Sequence, residues 1–600
     1  MPRMPQPKPA AKAAALDLPL QDNQIPAAAA AAGAITDVLG DSGSGSVLAK
    51  LETALTDLKA IQVAPFLNRA LDALRRDDAA GAGDWAIKAL EKDERSGLGW
   101  QILGIAREKA GDFGSALQCF ESALALLPDG NELANDIGRL AYRLGMNDVA
   151  AKLFAHFWTL HPELPDGGNN LACVLREEHR FDEAIEALKA TLAHHPENPL
   201  LWNSLGSVVR DQGDAATSIV FFDETLRLDA RFAKARYNRA NAKLVLGDID
   251  GALHDVDAAL ATSVDPSELA MMRMARSTIL LCLGRIGEGW DQYEVRFEPE
   301  FSAVTHFMID RPRWNPDDDL AGKSLLIMGE QGLGDEALFA NLVPDVLEAL
   351  GPDGKLSIAV EPRLVSLFQR SFPTATVGTH ATYDINMHKV RGAPFVDQPG
   401  LDYWTPIGTP LRKFRRTLDA YPAKGGYLKP DPGRVAHWRE VLKTAPSGPR
   451  VGLLWKSMSL QGSRRLNFSP FDAWAPVLKT PGISFINLQY GDCDTELAMA
   501  RKEFGVDIWT PPGIDLKQDL DDLAALCCAH DLILGFSNAT TSLAGAAGAP
   551  LWLIAAAGAW TSVGSDRYPW YPQARLYKQP YSGEWPVVMQ QVADDLAKTF

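Results

Sequence analysis

The sequence predicts an all-α repeat superhelix followed by an α/β region of two Rossmann-like lobes. Three observations lead there. The first half is self-similar at a fixed interval of 34 residues. After Lys323 the pattern changes to short apolar runs separated by amphipathic segments, and two small-residue loops each follow directly on such a run. A chain of 600 residues also exceeds what one hydrophobic core serves, so several domains are expected.

Composition narrows the function class. A net charge of −17 argues against general affinity for nucleic acid or anionic lipid, because phosphate binding needs a dense Lys/Arg surface. The six cysteines (Cys119, Cys173, Cys282, Cys493, Cys527 and Cys528) contain no C-x-x-C spacing, so reduced thiols in a cytoplasmic protein are expected rather than a zinc or redox site. Near the N-terminus, Asp17 and Asp22 follow Arg3 and Lys8, and the alanine run from Ala27 is too short and weakly apolar for a membrane span. Neither export nor membrane insertion is expected. Residues 1–45, rich in Ala, Pro, Gly and Ser, read as a flexible tail.

Residues 97–265 carry the repeat. Trp100, Leu103, Gly104, Ala116, Phe120, Ala123 and Pro128 open it. Steps of 34 lead to Ile137, Gly138, Ala150, Phe154 and Pro162, then to Leu171, Ala172, Ala184, Leu188 and Pro196. Trp202, Leu205, Gly206 and Phe222 follow, and Ala240, Ala252 and Ala259 end the series. Small residues let paired helices approach, large ones fill the gaps between hairpins, and proline ends the second helix. This half resembles the tetratricopeptide repeat family. Degenerate units at Pro65–Asp93 and Leu269–Arg296 are expected to cap the stack, giving N-terminal helices over 46–96 and repeats over 97–300.

Gln101, Asn135, Asn169 and Asn203 recur at the same interval on the first helix of each hairpin. Stacking would line up one amide per repeat, and an amide both donates and accepts, so such a line suits the backbone of an extended peptide. A merely wet polar face is the other reading. The line resembles the asparagine ladder of the nucleocytoplasmic O-linked N-acetylglucosamine transferases, which implies capture of a protein substrate.

In the second half, "SLLIMG", "KLSIAV" and "TATVG" read as strands of a first lobe, 301–430. "RVGLLWKS", "SFINLQ", "VDIWTP", "DLILGF" and "PLWLIA", with a closing helix over Pro586–Phe600, make a second lobe, 431–600. Two such lobes suit the GT-B glycosyltransferases and other two-lobed ligand binders alike. "GEQGLGDEALFANLVP", "ALCCAHDLILGFSNATTSLAGAAGAPLWLI" and "RYPWYPQARLYKQ" resemble the heptosyltransferase-like and repeat-linked bacterial glycosyltransferases. With the repeats in front, the chain resembles bacterial flagellin glycosyltransferases, which implies transfer of a nonulosonic acid of the pseudaminic type to Ser or Thr hydroxyls of flagellin.

The two loops differ in chemistry. The one at Gly535–Pro550 has Ser537, Asn538, Thr540, Thr541 and Ser542 and no carboxylate, so it suits a nucleotide phosphate at a helix N-terminus. The other has Glu330 and Asp335 beside Gly332 and Gly334, and lacks the order of a P-loop or dinucleotide site. Gly332 and Gly334 are expected to make a tight turn on the acceptor side. Asp335 is either the N-cap of the following helix or a general base, the role that the heptosyltransferase resemblance implies. A helix N-terminus is expected to lower its pKa.

Lys456, Arg464 and Arg465 follow the strand "VGLLW" and are candidates to neutralise a phosphate or an acidic sugar. Ser542 stands where the resembling enzymes often carry a histidine for a nucleotide diphosphate, which favours a monophosphate donor such as a CMP-linked sugar. Asp492 and Asp494 of "DCD" read as a turn rather than a metal site, "DLDD" as a helix N-terminus, and His530 as structural.

The expectation is an inverting, metal-independent protein O-glycosyltransferase, without a cofactor, using a nucleotide sugar. Two alternatives stay open: a transferase of the same fold acting on a glycan or lipid-linked acceptor, and a flagellin-binding adaptor or chaperone without catalysis.

Overall fold

The repeating small and large residues become helix-to-helix contacts. A Cβ built on Gly104 would lie 2.6 Å from Phe120, and one on Gly138 would lie 2.7 Å from Phe154, so only glycine admits the ring at each step. Phe120 and Phe154 are fully buried, as are Ala116, Ala123 and Ala150. The computed structural model describes residues 44–127, 132–385, 388–458, 462–580 and 583–600. Residues 1–43 of the expected tail, and Pro128, lie outside these.

The chain divides into two units, Met1–Val208 and Val209–Phe600. In the first, the helices Ser44–Arg75 and Ala79–Lys92 precede the hairpins Gly97–Lys109/Phe113–Leu126, Glu132–Arg143/Asn147–Leu160 and Pro165–Glu177/Phe181–His194. Helix starts are capped by short polar side chains: Asp78 accepts from the Gly81 N–H, Ser96 from Gly99 and Asp112 from Ser115. Pro165 opens its helix, where no N–H partner is needed. The turn inside each hairpin passes through a left-handed residue at the repeat interval: Gly111 (φ 80°), Gly145 (φ 77°) and His179 (φ 61°). His179 is a histidine where the pattern uses glycine.

In the second unit the hairpins Ala233–Val245/Ile249–Thr262 and Pro266–Cys282/Ile286–Tyr293 continue the pattern. The unit Leu269–Arg296 was expected to cap the stack. Its Trp290 is fully buried and meets Trp560 and Trp570 edge-on at 5.9 and 6.1 Å. The last hairpin thus serves as part of the α/β core.

The strands in chain order are β1 (Thr305–Phe307), β2 (Ser324–Met328), β3 (Lys355–Val360), β4 (Thr376–Thr379), β5 (Ala381–Ile385), β6 (His388–Gly392), β7 (Tyr403–Pro406), β8 (Arg450–Leu454), β9 (Ser484–Asn487), β10 (Leu532–Phe536), β11 (Leu551–Ala555) and β12 (Ala574–Lys578). They form two parallel sheets, in the orders β4-β3-β2-β7 and β12-β11-β10-β8-β9, and a small sheet β1-β6-β5. Four residues of β2 and all of β10 and β11 are buried, as strands covered on both faces require.

The segment "VDIWTP", expected as a strand, makes only a bridge between Trp509 and Ile486, because Pro511 and Pro512 follow and cannot donate to a ladder. The expected closing helix spans Trp585–Thr599. No described helix is long and apolar enough to cross a membrane.

Candidate functional site

Both parallel sheets reverse their strand order once, between β2 and β7 in one and between β8 and β10 in the other. Open α/β sheets form crevices outside the carboxyl ends of the strands at such points. β2 runs into Gly329–Gly332, β8 into Trp455–Ser457, and β10 into Ser537 and Asn538. The candidate residues of both loops therefore lie at the two crevices.

The helices that follow these loops touch. A Cβ built on Gly334 would lie 3.3 Å from the Ala539 Cα and 3.5 Å from the Ser542 Oγ. Gly334 was expected in a tight turn on the acceptor side; its missing side chain also admits the helix Ala539–Ala546 of the other sheet. Gly332 is the residue that precedes the helix Leu333–Phe339, and its N–H donates to Asp335 Oδ2 at 3.1 Å. Asp335 is thus in the first turn reaching back, and the N-cap position belongs to Gly332.

The expected lowering of the Asp335 pKa is also overturned. Burial among neighbouring atoms pushes it up to about 6, against the pull of the Gly332 N–H, while the nearby Glu330 and Glu336 charges add to the rise and Arg464 opposes it. Asp335 as a whole residue is half-buried.

The flanking carboxylates are structural. Glu330 is held by Arg296, Nε to Oε2 2.7 Å, and accepts from the Gly408 N–H at 2.6 Å. Gln331 donates to the Tyr293 hydroxyl. Glu336 is buried and accepts from the Glu361 N–H at 2.8 Å; its other oxygen is 3.1 Å from His380 Nε2 and 3.5 Å from Arg391 Nη1. Arg391 also donates to the Gln331 carbonyl at 3.0 Å. Arg296, His380 and Arg391 have no local motif and were not singled out from the sequence.

In the second loop, Asn538 caps its helix by accepting from the Thr541 N–H at 3.1 Å, and its own N–H donates to Thr541 Oγ1 at 2.9 Å. Thr540 and Thr541 are buried, and the Thr541 hydroxyl also donates to the Phe536 carbonyl at 2.9 Å. Ser542 is buried beside Tyr571. Of these three residues, expected at a phosphate, Thr541 spends its hydroxyl on the cap, and Thr540 and Ser542 are buried. The groups left for a ligand are Ser537, which is exposed, and Asn538 Nδ2, which is buried without a partner.

Tyr568, within the segment "RYPWYPQARLYKQ", joins them. Its buried side chain lies beside Thr561 and Ser537, and burial followed by the nearby Asp335 charge pushes its pKa up to about 12.

The basic candidates separate. Lys456 pairs with Glu496, and its N–H donates to Gln489 Oε1 at 3.0 Å. Arg464 is exposed and near enough to Asp335 to lower its pKa. Arg465 was expected at the donor, but its Nη2 donates to the carbonyls of Asp211 and Gln212 at 2.6 and 3.0 Å, capping the end of a helix.

Elsewhere, Asp492 accepts from the Asp494 N–H as a turn residue. Within "DLDD", Asp521 binds Arg370 and Asp522 binds Arg434. His530 is buried, its pKa pushed down to about 4 by burial, with Nδ1 2.7 Å from the Leu526 carbonyl.

In the first unit the amides of the ladder engage the next hairpin at a constant separation of 35 residues. Gln101 donates to Asp136 at 2.6 Å, Asn135 accepts from Asn170 at 2.9 Å, and Asn169 accepts from Ser204 at 2.6 Å. Asn135, Asn169 and Asn203 are mostly buried. Each bond uses one half of an amide, which can both donate and accept. Beside them, Asp136 and Glu108 hold the buried Arg139 at 2.9 and 3.3 Å.

A tetratricopeptide repeat model matches residues 103–156 and 169–231. The peroxisomal targeting signal receptor of Eremothecium gossypii is 29% identical over 87 residues, 14% of this chain and 15% of that protein. The solved structure of Pseudomonas aeruginosa pilF covers 34% of this chain and 92% of its own at 18% identity, with a TM-score of 0.30. Protein FlbA of Caulobacter vibrioides is 52% identical over 563 residues, 94% of each chain, so the match spans repeats and parallel sheets alike. The chain belongs to the family of Protein FlbA.

Proposed function

We propose that the chain is a GT-B protein O-glycosyltransferase that moves a nonulosonic acid from a CMP-linked donor to Ser or Thr hydroxyls of flagellin, with the repeats capturing the acceptor protein. The observation that carries this reading is the position of Asp335. It stands at the carboxyl end of β2, where the helix of one parallel sheet meets the loop of the other, with its pKa raised to about 6. A carboxylate so tuned is ionised at neutral pH yet a better proton acceptor than an ordinary aspartate.

In the proposed step the acceptor oxygen attacks the anomeric carbon from the face opposite the nucleotide. The bond from that carbon to the phosphate oxygen breaks, CMP leaves with the electron pair, and the hydroxyl proton passes to Asp335. Ser537 and Asn538 Nδ2 offer donors to the phosphate from the second loop, and Arg464 offers charge to the departing CMP or the sugar carboxylate. The ladder amides suit a protein acceptor because they pair with any backbone.

Purified chain, flagellin from a strain lacking this gene and a CMP-linked nonulosonic acid test the reading together. Intact mass spectrometry is expected to show flagellin gaining whole sugar increments. Flagellin of unchanged mass would overturn it.

A further inference from the structure

The small sheet ends on an open edge. Its order is β1-β6-β5, and β5 pairs antiparallel with β6 from Ala381↔Gly392 to Ile385↔His388. Among the described residues, no other backbone hydrogen bond reaches residues 381–385. The outer side of β5 is therefore a row of unpaired N–H and C=O groups. Proteins ordinarily blunt such edges with Lys, Pro, a bulge or a covering element. β5 reads Ala-Thr-Tyr-Asp-Ile, with neither Lys nor Pro, and its one charge, Asp384, is paired with Lys389 of β6 at 3.5 Å.

The sheet also has a face suited to side chains. Tyr383 pairs with Val390, and the register Phe307↔Arg391 sets Met308 beside Gly392. Tyr383, Ile385 and Met308 therefore share one face of the pleat and are 49%, 49% and 43% exposed. His306 and His388 meet edge-on at 5.3 Å on that face.

One end of this edge is fastened to the candidate site. His380 immediately precedes β5 and bonds to Glu336, the neighbour of Asp335 in the chain. Arg391, opposite Thr382 in the ladder, donates to Gln331 in the glycine loop. β5 thus leads away from the Asp335 loop over about 16 Å, the length of five extended residues.

We propose that β5 is the docking edge for an extended segment of the polypeptide acceptor, which adds a fourth strand to the small sheet and is delivered from there to Asp335. The occupant is a polypeptide because only an extended backbone presents alternating acceptors and donors at the spacing of the edge. Its apolar side chains fall on Met308, Tyr383 and Ile385, and alternation turns the others to solvent. The identity of the acceptor as flagellin rests on the function proposed above.

Amide hydrogen exchange on the full chain, with and without purified flagellin, tests the edge. Flagellin is expected to slow exchange in residues 381–385 at least tenfold. Y383K and I385K, at exposed positions, are expected to raise the KM for flagellin about tenfold and leave the KM for the CMP-linked donor unchanged. Unchanged exchange in β5 while flagellin is bound elsewhere on the chain overturns the docking edge. So does protection that appears without flagellin and grows with the chain's own concentration, which would mean a second copy on the edge. Protection of β5 without sugar transfer supports the edge and removes the transferase reading; transfer without protection does the reverse. Flagellin that binds nowhere overturns both.

Discussion

Arg296 and Glu330 form an ion pair at 2.7 Å with side chains only 4% and 2% exposed. The arginine lies just beyond the last repeat hairpin, and the glutamate belongs to the glycine loop that carries Asp335. Burying both charges costs solvation, and the pair holds because the Gly408 N–H and the Tyr293 carbonyl satisfy further atoms, at 2.6 and 2.7 Å. Replacing Arg296 with Met strands a buried carboxylate and is expected to cost about 3–5 kcal/mol. The double variant R296M/E330M is expected to recover most of that loss. Calorimetric Tm values check it, and equal losses in single and double variants would show that the pair is not what fixes the loop.

Asp335 makes a pH-dependent prediction with a definite sign. Its folded pKa, about 6, lies above the usual carboxylate value near 3.9, so the folded state keeps a proton that the unfolded state releases between those values. The handicap of ionising it is absent below about pH 4 and complete above about pH 6. D335N is therefore expected to raise the Tm at pH 7.5 and leave it unchanged at pH 4. A Tm lowered at pH 7.5 would mean that the bond to the Gly332 N–H outweighs the cost of the charge.

His179 occupies the left-handed turn position that Gly145 and Gly111 hold one and two repeats earlier. A side chain there costs about 1–2 kcal/mol, partly recovered because glycine loses more freedom on folding. His179→Gly is expected to stabilise the first unit by about 0.5–1 kcal/mol, read as a higher Tm. A lower Tm would show that the ring contact with Phe181, 5.7 Å between centroids, matters more than the backbone.

The ladder separates capture from stability. Asn135→Ala and Asn169→Ala each remove the acceptor used by Asn170 and Ser204, so each is expected to cost about 1 kcal/mol and to weaken flagellin binding. Asn170→Ala and Ser204→Ala remove the same bonds but keep the ladder amides, so they are expected to cost similar stability with binding retained. Equal binding in both sets, measured by titration calorimetry, would show that the ladder serves the stack alone.

The repeats were legible because Gly104 with Phe120 and Gly138 with Phe154 state the contact directly in the spacing. The parallel strands were legible because buried runs such as Leu532–Phe536 have no polar alternation. The small sheet was not: β1 is three residues long, and β5 is mostly exposed, so neither has an apolar signal. At the site, the two loops were visible as small-residue runs after strands, but their partners were not. Arg391 and His380 reach Glu336 from 55 and 44 residues away, and Tyr568 reaches Ser537 from the far side of β11. Such pairings depend on strand order, which a single sequence does not encode locally. The Asp335 pKa was misjudged for the same reason: the first-turn position was visible, and the surrounding atoms were not.

The most direct test of the account is sugar incorporation into flagellin by D335N, measured by intact mass spectrometry beside binding of the same flagellin. Loss of a general base is expected to slow transfer by about 10²–10⁴-fold while flagellin binding stays within twofold of wild type. The wild-type rate is expected to rise with pH through about 6, as Asp335 ionises. A D335N chain that modifies flagellin at the wild-type rate would contradict the account.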